Sequence, residues 1–305
     1  MIAYILRRFF WFLVTLWVVF TISFFLMRAV PGGPFDGEKQ MSPEIRRNME
    51  RRYHFDDTLV QQYLRTLGQY LCFDFGIPFK LPDYTVNEVI AEGFPVSASL
   101  GVIALAFALT LGLTAGIISA VRRQSWLDFG LMTIATVGIA LPDFVIAGVA
   151  IILLCFVWPI FPAAGWGSLE HLWLPACCLG APYAAYIARL TRTGMLDVLS
   201  QDYIRTAYAK GLLGRTVILK HALKGALLPV VSFLGPAVAG ILTGSLVIEK
   251  IFAIPGLGMH FINSAMQRDY TLAMGLVILD TTIICGMNLV VDLLYKFLDP
   301  RVKLE

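Results

Sequence analysis

Two carboxylates stand where a carboxylate is costly. Asp143 follows Pro142 in GIALPDFVI, and Asp280 interrupts LVILDTTII. Both stretches are otherwise uncharged and largely apolar. An ionisable group at a helix centre in hydrocarbon costs on the order of 3 kcal/mol, so such residues mark function by default. Facing a pore, either would meet a cation or an amino group. Facing a neighbouring helix, either would only make a hydrogen bond or cap a proline break. A third acid, Glu249, opens EKIFAIPGLG near the end of another apolar run, where Pro255, Gly256 and Gly258 read as a tight re-entrant turn.

Covalent and metal chemistry find no foothold. The chain lacks GxxxxGK[ST], HExxH and GxSxG, and it has no paired intramembrane carboxylates with a cut site between them. His54, His171, His221 and His260 are scattered and read as structural. The five cysteines lack CxxC or metal-ligand spacing. Four fall in apolar runs, where a thiol is a small hydrophobe, and Cys72 alone is expected at the surface. The expectation is a chain with no catalytic residue, no metal, no cofactor of its own and no nucleic-acid partner.

The elements that must position these residues are membrane helices. Apolar residues make up 58% of the chain and charged ones 15%, and mean hydropathy is +0.74. Runs at 9–27, 97–120, 129–157, 173–196, 229–248 and 273–298 are each long enough to cross the roughly 30 Å hydrocarbon core. Backbone groups in lipid must be satisfied internally, so the fold class is an all-α polytopic membrane protein with six transmembrane helices. The first run follows Arg7 and Arg8 like a signal peptide. It is too long for a cleaved segment, and no small-x-small site follows. The fourth run, with Arg189 and Arg192, is the least apolar.

Basic residues set the orientation. With the N-terminus inside, the inner segments hold Arg7, Arg8, Arg122, Arg123, Arg189, Arg192, Arg205, Lys210, Arg215, Lys220, Lys224, Lys296, Arg301 and Lys303. The short outer segments hold only Lys250 and Arg268. Both termini are therefore expected in the cytoplasm. The chain divides into residues 1–29 (N-terminus and first span), an external helical segment 30–95, a transmembrane core 96–298 and a tail 299–305.

The external segment has local signals of its own. PGGP at 31–34 stops the first helix. Ser42 and Pro43 suit an N-cap and first helical position. Leu59, Tyr63, Leu67 and Leu71 recur every four residues, and Thr85 with Glu88 makes a capping box. Two uses fit: amphipathic helices resting on the membrane, or a docking surface for an external partner. No repeat between the two halves of the chain is evident.

The inner segment 198–228 is longer than a plain connection needs. DYIRTAYAKG, 202–211, predicts a short helix stopped at Gly211. LGRTVILKHALKGALLP predicts a second, apolar on one side and basic on the other. Pattern alone allows an interfacial helix pair resting on anionic lipid.

DYIRTAYAKGL followed by HALKGALLPVV resembles the cytoplasmic loop of ATP-binding-cassette importer permeases. Thr206, Ala207 and Gly211 fall at the core of that loop's motif and Leu228-Pro229 at its end. The leading Glu of the motif is replaced by Arg205-Thr206-Ala207, as is usual in the peptide-importer branch. ILRRFFWFL, PGGPF, YHFDDTLVQQYLRTLGQYL, DFGIPFK, FPVSASLG, VIEKIFAIPGLG and LDPRV resemble that branch in order along the chain. The likeness is to the first permease subunit of oligopeptide and dipeptide importers. The long segment after span one favours the oligopeptide type, with dipeptide, murein-peptide and nickel relatives as alternatives. A self-contained secondary transporter, coupled through Asp143 or Asp280, is the reading from another class.

The resemblance implies the type I importer permease fold in a bacterial inner membrane. It also implies a second homologous permease, two ATP-binding cassette subunits that hold ATP and Mg, and an external substrate-binding protein, all around a chain bathed in membrane lipid. Tyr203, Ile204, Arg205, Thr206, Ala207, Tyr208, Ala209, Lys210, Gly211 and Leu212 would form the helix that couples to the ATPases. Glu249, Pro255, Gly256 and Gly258 would lie near the external gate. Asp143 departs from the small polar residue common after this proline in the family.

Overall fold

The computed structural model describes residues 2–30, 44, 48, 51, 53–242 and 244–298. Among them the chain is helical, with no strand. The PGGP stop, the Ser42–Pro43 helix start, the 299–305 tail with Asp299 and Arg301, and the Asp292 side chain lie outside the described residues.

Helix α1 is Ile2–Ala29, and α2 is Leu59–Leu71 in the external segment. Helix α3, Val86–Val121, starts at the Thr85–Glu88 capping box and runs through Pro95 into the second predicted span. Helices α4, Trp126–Ala140, and α5, Asp143–Ile151, make up the third run; α5 ends in a π-helical turn, Ile152–Val157. Helix α6 is Leu169–Leu199 and α7 is Asp202–Ala209. Three pieces without a break, Gly214–Thr216, a π-turn Val217–Ala222 and Leu223–Ala226, form α8. Then come α9, Leu228–Leu242; α10, Leu246–Ile251; α11, Leu257–Met266; and α12, Tyr270–Leu298.

Three expectations need correction. The third run is not one straight span: its two helices meet at 108°. A residue before proline is pushed out of helical conformation, and Leu141, ahead of Pro142, sits at φ −84°, ψ 131°. The fifth run also breaks, between Leu242 and Leu246, where Gly244 takes φ +91°. In α2 the four-residue spacing drifts around the helix, because four residues overshoot a 3.6-residue turn. Gln62, Tyr63, Thr66, Leu67 and Tyr70 therefore turn inward, while Leu59 and Leu71 are exposed.

Among the described residues four helical stretches are long and apolar enough to cross a membrane, one of them α9 and α10 taken together over Leu228–Ile251, and five if the bent α4–α5 pair is one span. Helix α6 is the remaining predicted crossing. Its 31 residues reach about 46 Å, but Pro175, Pro182, Arg189 and Arg192 lower its hydropathy. It is nonetheless the central helix, because it packs against α3, α4, α5, α8, α9 and α10.

The seam between α3 and α6 explains how it fits. Ala104, Ala108, Gly112 and Gly116 recur every four residues and are fully buried. A methyl group added at Gly112 would lie 2.7 Å from the Ala184 carbonyl oxygen; at Gly116, 2.6 Å from that of Ala188; at Gly180, 2.6 Å from that of Ala104. The two backbones touch, as small residues permit in membrane helix pairs.

Candidate functional site

The elbow is built from α6, α7 and α8. Helix α7 ends as expected: Lys210 N–H donates to the Thr206 carbonyl, and Gly211 takes φ +76°. A residue without a Cβ takes that conformation at least cost. Ile204 and Ala207, three residues apart on one face, are buried against Met195 of α6, Val217, Ala222 and Ala226 of α8, and Ala120 at the end of α3. The candidates thus divide into two sets. Ile204 and Ala207 anchor the helix. Tyr203, Arg205, Thr206, Tyr208, Ala209, Lys210, Gly211 and Leu212 are exposed. Ala207 therefore belongs to the packing under the helix and not to its outer surface. Arg205 meets Asp202 at 3.4 Å in full solvent, a contact of little energetic weight.

Beside the elbow lies a cluster that sequence reasoning missed. Asp128, buried in the first turn of α4, accepts two hydrogen bonds from the Arg192 guanidinium, at 2.7 and 2.9 Å. It also accepts from Ser119 Oγ of α3 and, at 2.9 Å, from the Gln124 N–H. One carboxylate thereby ties α3, α4 and α6 together next to the coupling candidates. Its signal was legible: Ser125 stands three residues before Asp128 and caps α4. Arg192 had been read only as a topology marker.

At the opposite end, Glu249 is fully buried rather than set at a surface. Its carboxylate accepts from Ser97 Oγ at 2.8 Å and from the Gly258 N–H at 2.8 Å. Ser97 Oγ in turn accepts from the Leu257 N–H at 2.9 Å. Glu249 thus caps the start of α11 from α10 and pins it to α3, a favourable place for a negative charge. A methyl at Gly256 would fall 2.4 Å from its carboxylate oxygen and 2.5 Å from Ser97 Oγ, so any larger residue must displace the buried acid. Of the turn candidates, Pro255 is exposed, while Gly256 and Gly258 pack on the acid.

The intramembrane acids do not come together. Asp280 is half-buried and lines a cavity of about 160 Å³ with Gly244, Leu257, Gly258 and Phe261, beside the Glu249 turn. Asp143 is the first residue of α5, directly after the break, and half-buried. It lies within electrostatic range of Tyr183, which lines an aromatic groove with Ile139, Pro182, Tyr186 and Phe233. The Tyr186 and Phe233 rings pack at a tilt of 32°, centroids 4.4 Å apart. One trio in the external segment, His54, Asp56 and Asp57, brings potential ligand atoms within 4.8 Å. There the Arg65 guanidinium, 2.7 Å from Asp57, already supplies the positive charge.

Comparison with known proteins places this geometry among relatives. Residues 112–304 match the family described as binding-protein-dependent transport system inner membrane component. The chain is 46% identical to the dipeptide transport system permease protein DppB of Bacillus subtilis, over 100% of this chain and 99% of that one. It is 44% identical to the oligopeptide transport system permease protein OppB of Escherichia coli K12, over 99% and 100%. Among solved structures, a chain of the MetNI methionine ABC transporter in inward-facing conformations superposes with a TM-score of 0.58. That match covers 69% of this chain and 96% of that one at 16% identity, and so speaks to the fold alone.

Proposed function

The chain belongs to the family of binding-protein-dependent transport system inner membrane components, and from that premise we propose that it is a peptide-importer permease working on oligopeptides. A member of this family is a multi-pass inner-membrane subunit. It is not an enzyme; it works with a substrate-binding protein and with ATPases that hydrolyse ATP. In our reading the chain crosses the membrane six times with both termini in the cytoplasm. Its external segment spans 30–95 and its permease core 96–298. A second homologous permease completes the path, and two ATPase subunits hold the ATP and Mg that this chain does not bind.

The observation that carries the reading is the two-faced α7. Buried Ile204 and Ala207 fix it to the ends of α3, α6 and α8, and Tyr203, Thr206 and Tyr208 stand in solvent. Exposed aromatic side chains on a rigid, anchored helix are the chemistry of a docking knob. Seated in an ATPase groove, α7 would carry ATP-driven closure into α6, and through the Asp128–Arg192 clamp into α3 and α4. Asp143 and the adjoining aromatic groove would face the path and meet a peptide amino group. The Glu249 turn would hold the outer gate together.

The test is reconstitution of the chain with its partner permease, ATPases and binding protein. ATP hydrolysis and uptake stimulated by tetra- and pentapeptides more than by dipeptides bear the oligopeptide reading out. Preference for dipeptides would give the chain the other substrate class, that of the Bacillus dipeptide permease. In the same assay Asp143→Asn should lower uptake of cationic peptides relative to neutral ones. An unchanged ratio removes Asp143 from the path.

A further inference from the structure

Helix α2 carries three flanks. At 100° per residue, Gln62, Tyr63, Thr66 and Tyr70 form the flank that meets protein. The Gln62 side chain accepts from Arg28 at 3.0 Å. The Tyr63 hydroxyl bonds both Trp17, at 3.0 Å, and Thr21, at 2.9 Å. The Tyr70 ring stacks edge-on against Phe20 at 5.2 Å. About 125° further round stand Val60, Leu64 and Leu71, which are 67%, 60% and 74% exposed; Phe73, just past the helix end, is 78% exposed. The remaining flank is polar and exposed: Gln61, Arg65 and Gln69.

Depth can be read from α1. Arg28 ends the first apolar run, so it marks the membrane boundary. Tyr63 and Tyr70 reach down from α2 to Trp17, Phe20 and Thr21. Phe20 lies eight residues, about 12 Å, below Arg28. Tyr63 and Tyr70, two turns apart, both touch Phe20, at 5.6 and 5.2 Å, so α2 crosses the Arg28 half of α1 rather than running along it, with its tyrosines directed toward the hydrocarbon.

The apolar ridge continues a surface already committed to lipid. Phe25 of α1, 49% exposed, stacks on Tyr63 at 5.9 Å, and Ile22 and Leu26 beside it are exposed on the same apolar span. We propose that α2 is an in-plane membrane helix, its Val60–Leu64–Leu71 ridge immersed in the acyl chains of the leaflet at the Arg28 end. Gln61, Arg65 and Gln69 then face headgroups and water, the arrangement of a monotopic amphipathic helix. That the leaflet is the outer one rests on the orientation proposed above; the immersion itself does not.

The experiment uses the whole transporter in lipid nanodiscs, with exposed Cys72 replaced by serine and Cys155, Cys177, Cys178 and Cys285 by alanine. Single cysteines at Val60 and Leu64 on the ridge, and at Gln61 and Gln69 on the polar flank, carry nitroxide spin labels. Collisions are measured with oxygen, which partitions into lipid, and with a neutral nickel chelate, which stays in water. Immersion gives a severalfold higher oxygen-to-nickel ratio at 60 and 64 than at 61 and 69. Equal ratios on the two flanks, with nickel reaching the ridge, would overturn the proposal. So would shielding of the ridge from both reagents, or shielding that appears only when the binding protein is added, because each means a protein cover. Leu71→Cys replaces a ridge variant that does not assemble. Retained peptide-driven ATP hydrolysis alongside a wet ridge would sink this inference and leave the transport reading intact. A cytoplasmic-side reporter fused at the N-terminus checks the leaflet separately.

Discussion

Asp128 and Arg192 are 64 positions apart and share two hydrogen bonds at a junction of three helices. Hydrogen bonds to charged groups each contribute about 1.5–3 kcal/mol, and a stranded partner adds its own desolvation cost. Asp128→Asn should therefore lower the thermal midpoint of the purified complex, by about 2 kcal/mol in stability. Asp128→Asn combined with Arg192→Gln should lose less than the sum of the single changes. Full additivity would show that the two side chains act separately. Gly256 offers a second contrast. Gly256→Ala forces a methyl onto the Glu249 carboxylate, and the complex should fail to assemble. Gly68→Ala on α2 meets nothing within 4 Å and should be neutral or gain about 0.5–1 kcal/mol of helix stability. Equal yields of the two variants would contradict the packing around Glu249. At this scale the sequence told which residues were unusual but not what they touch. Glu249 stood out as an acid near an apolar run. Its tie to α3 depends on Ser97, 152 positions away, and no local pattern encodes that distance.

Helix α7 was the most legible element, because its start, its glycine stop and its length are local properties. What the pattern could not assign was which face looks inward. Every position of DYIRTAYAKG is plausible at a polar surface, and only the fit of Ile204 and Ala207 against α6 and α8 decides. The distinction predicts different failures. Tyr208→Ala should leave complex yield and melting unchanged and reduce peptide-stimulated ATP hydrolysis severalfold. Ala207→Asp should instead lower the yield of folded chain, because it buries an unpaired charge. Uncoupling by Ala207→Asp in a normally assembled complex would place that residue back on the docking surface. The broken third run failed for the opposite reason. Its apolar residues continue across Pro142, so hydropathy sees one segment where the backbone makes two, 108° apart. Helix α6 was underrated for a related reason: hydropathy measures contact with lipid, and α6 has protein neighbours instead.

For the molecule as a whole, the asymmetry of basic residues predicts that a reporter at either terminus answers only to reagents that reach the cytoplasm. Access from the outside at one end would require an odd number of crossings and would make α6, or the bent α4–α5 pair, a re-entrant element. The α3–α6 seam has a further consequence for heredity. The atoms facing Gly112, Gly116 and Gly180 include a main-chain carbonyl oxygen in each case, beside side-chain atoms of Ile187, Thr191 and Phe107. No second mutation can remove a carbonyl. Gly275 differs, because its nearest neighbour is the Val86 side chain, 2.6 Å from an added methyl. A selection for revertants should accordingly recover Gly275→Ala strains through Val86→Ala. Gly112→Ala and Gly116→Ala strains should yield only true back-mutations, so the seam would appear in a genetic map as a line without intragenic suppressors.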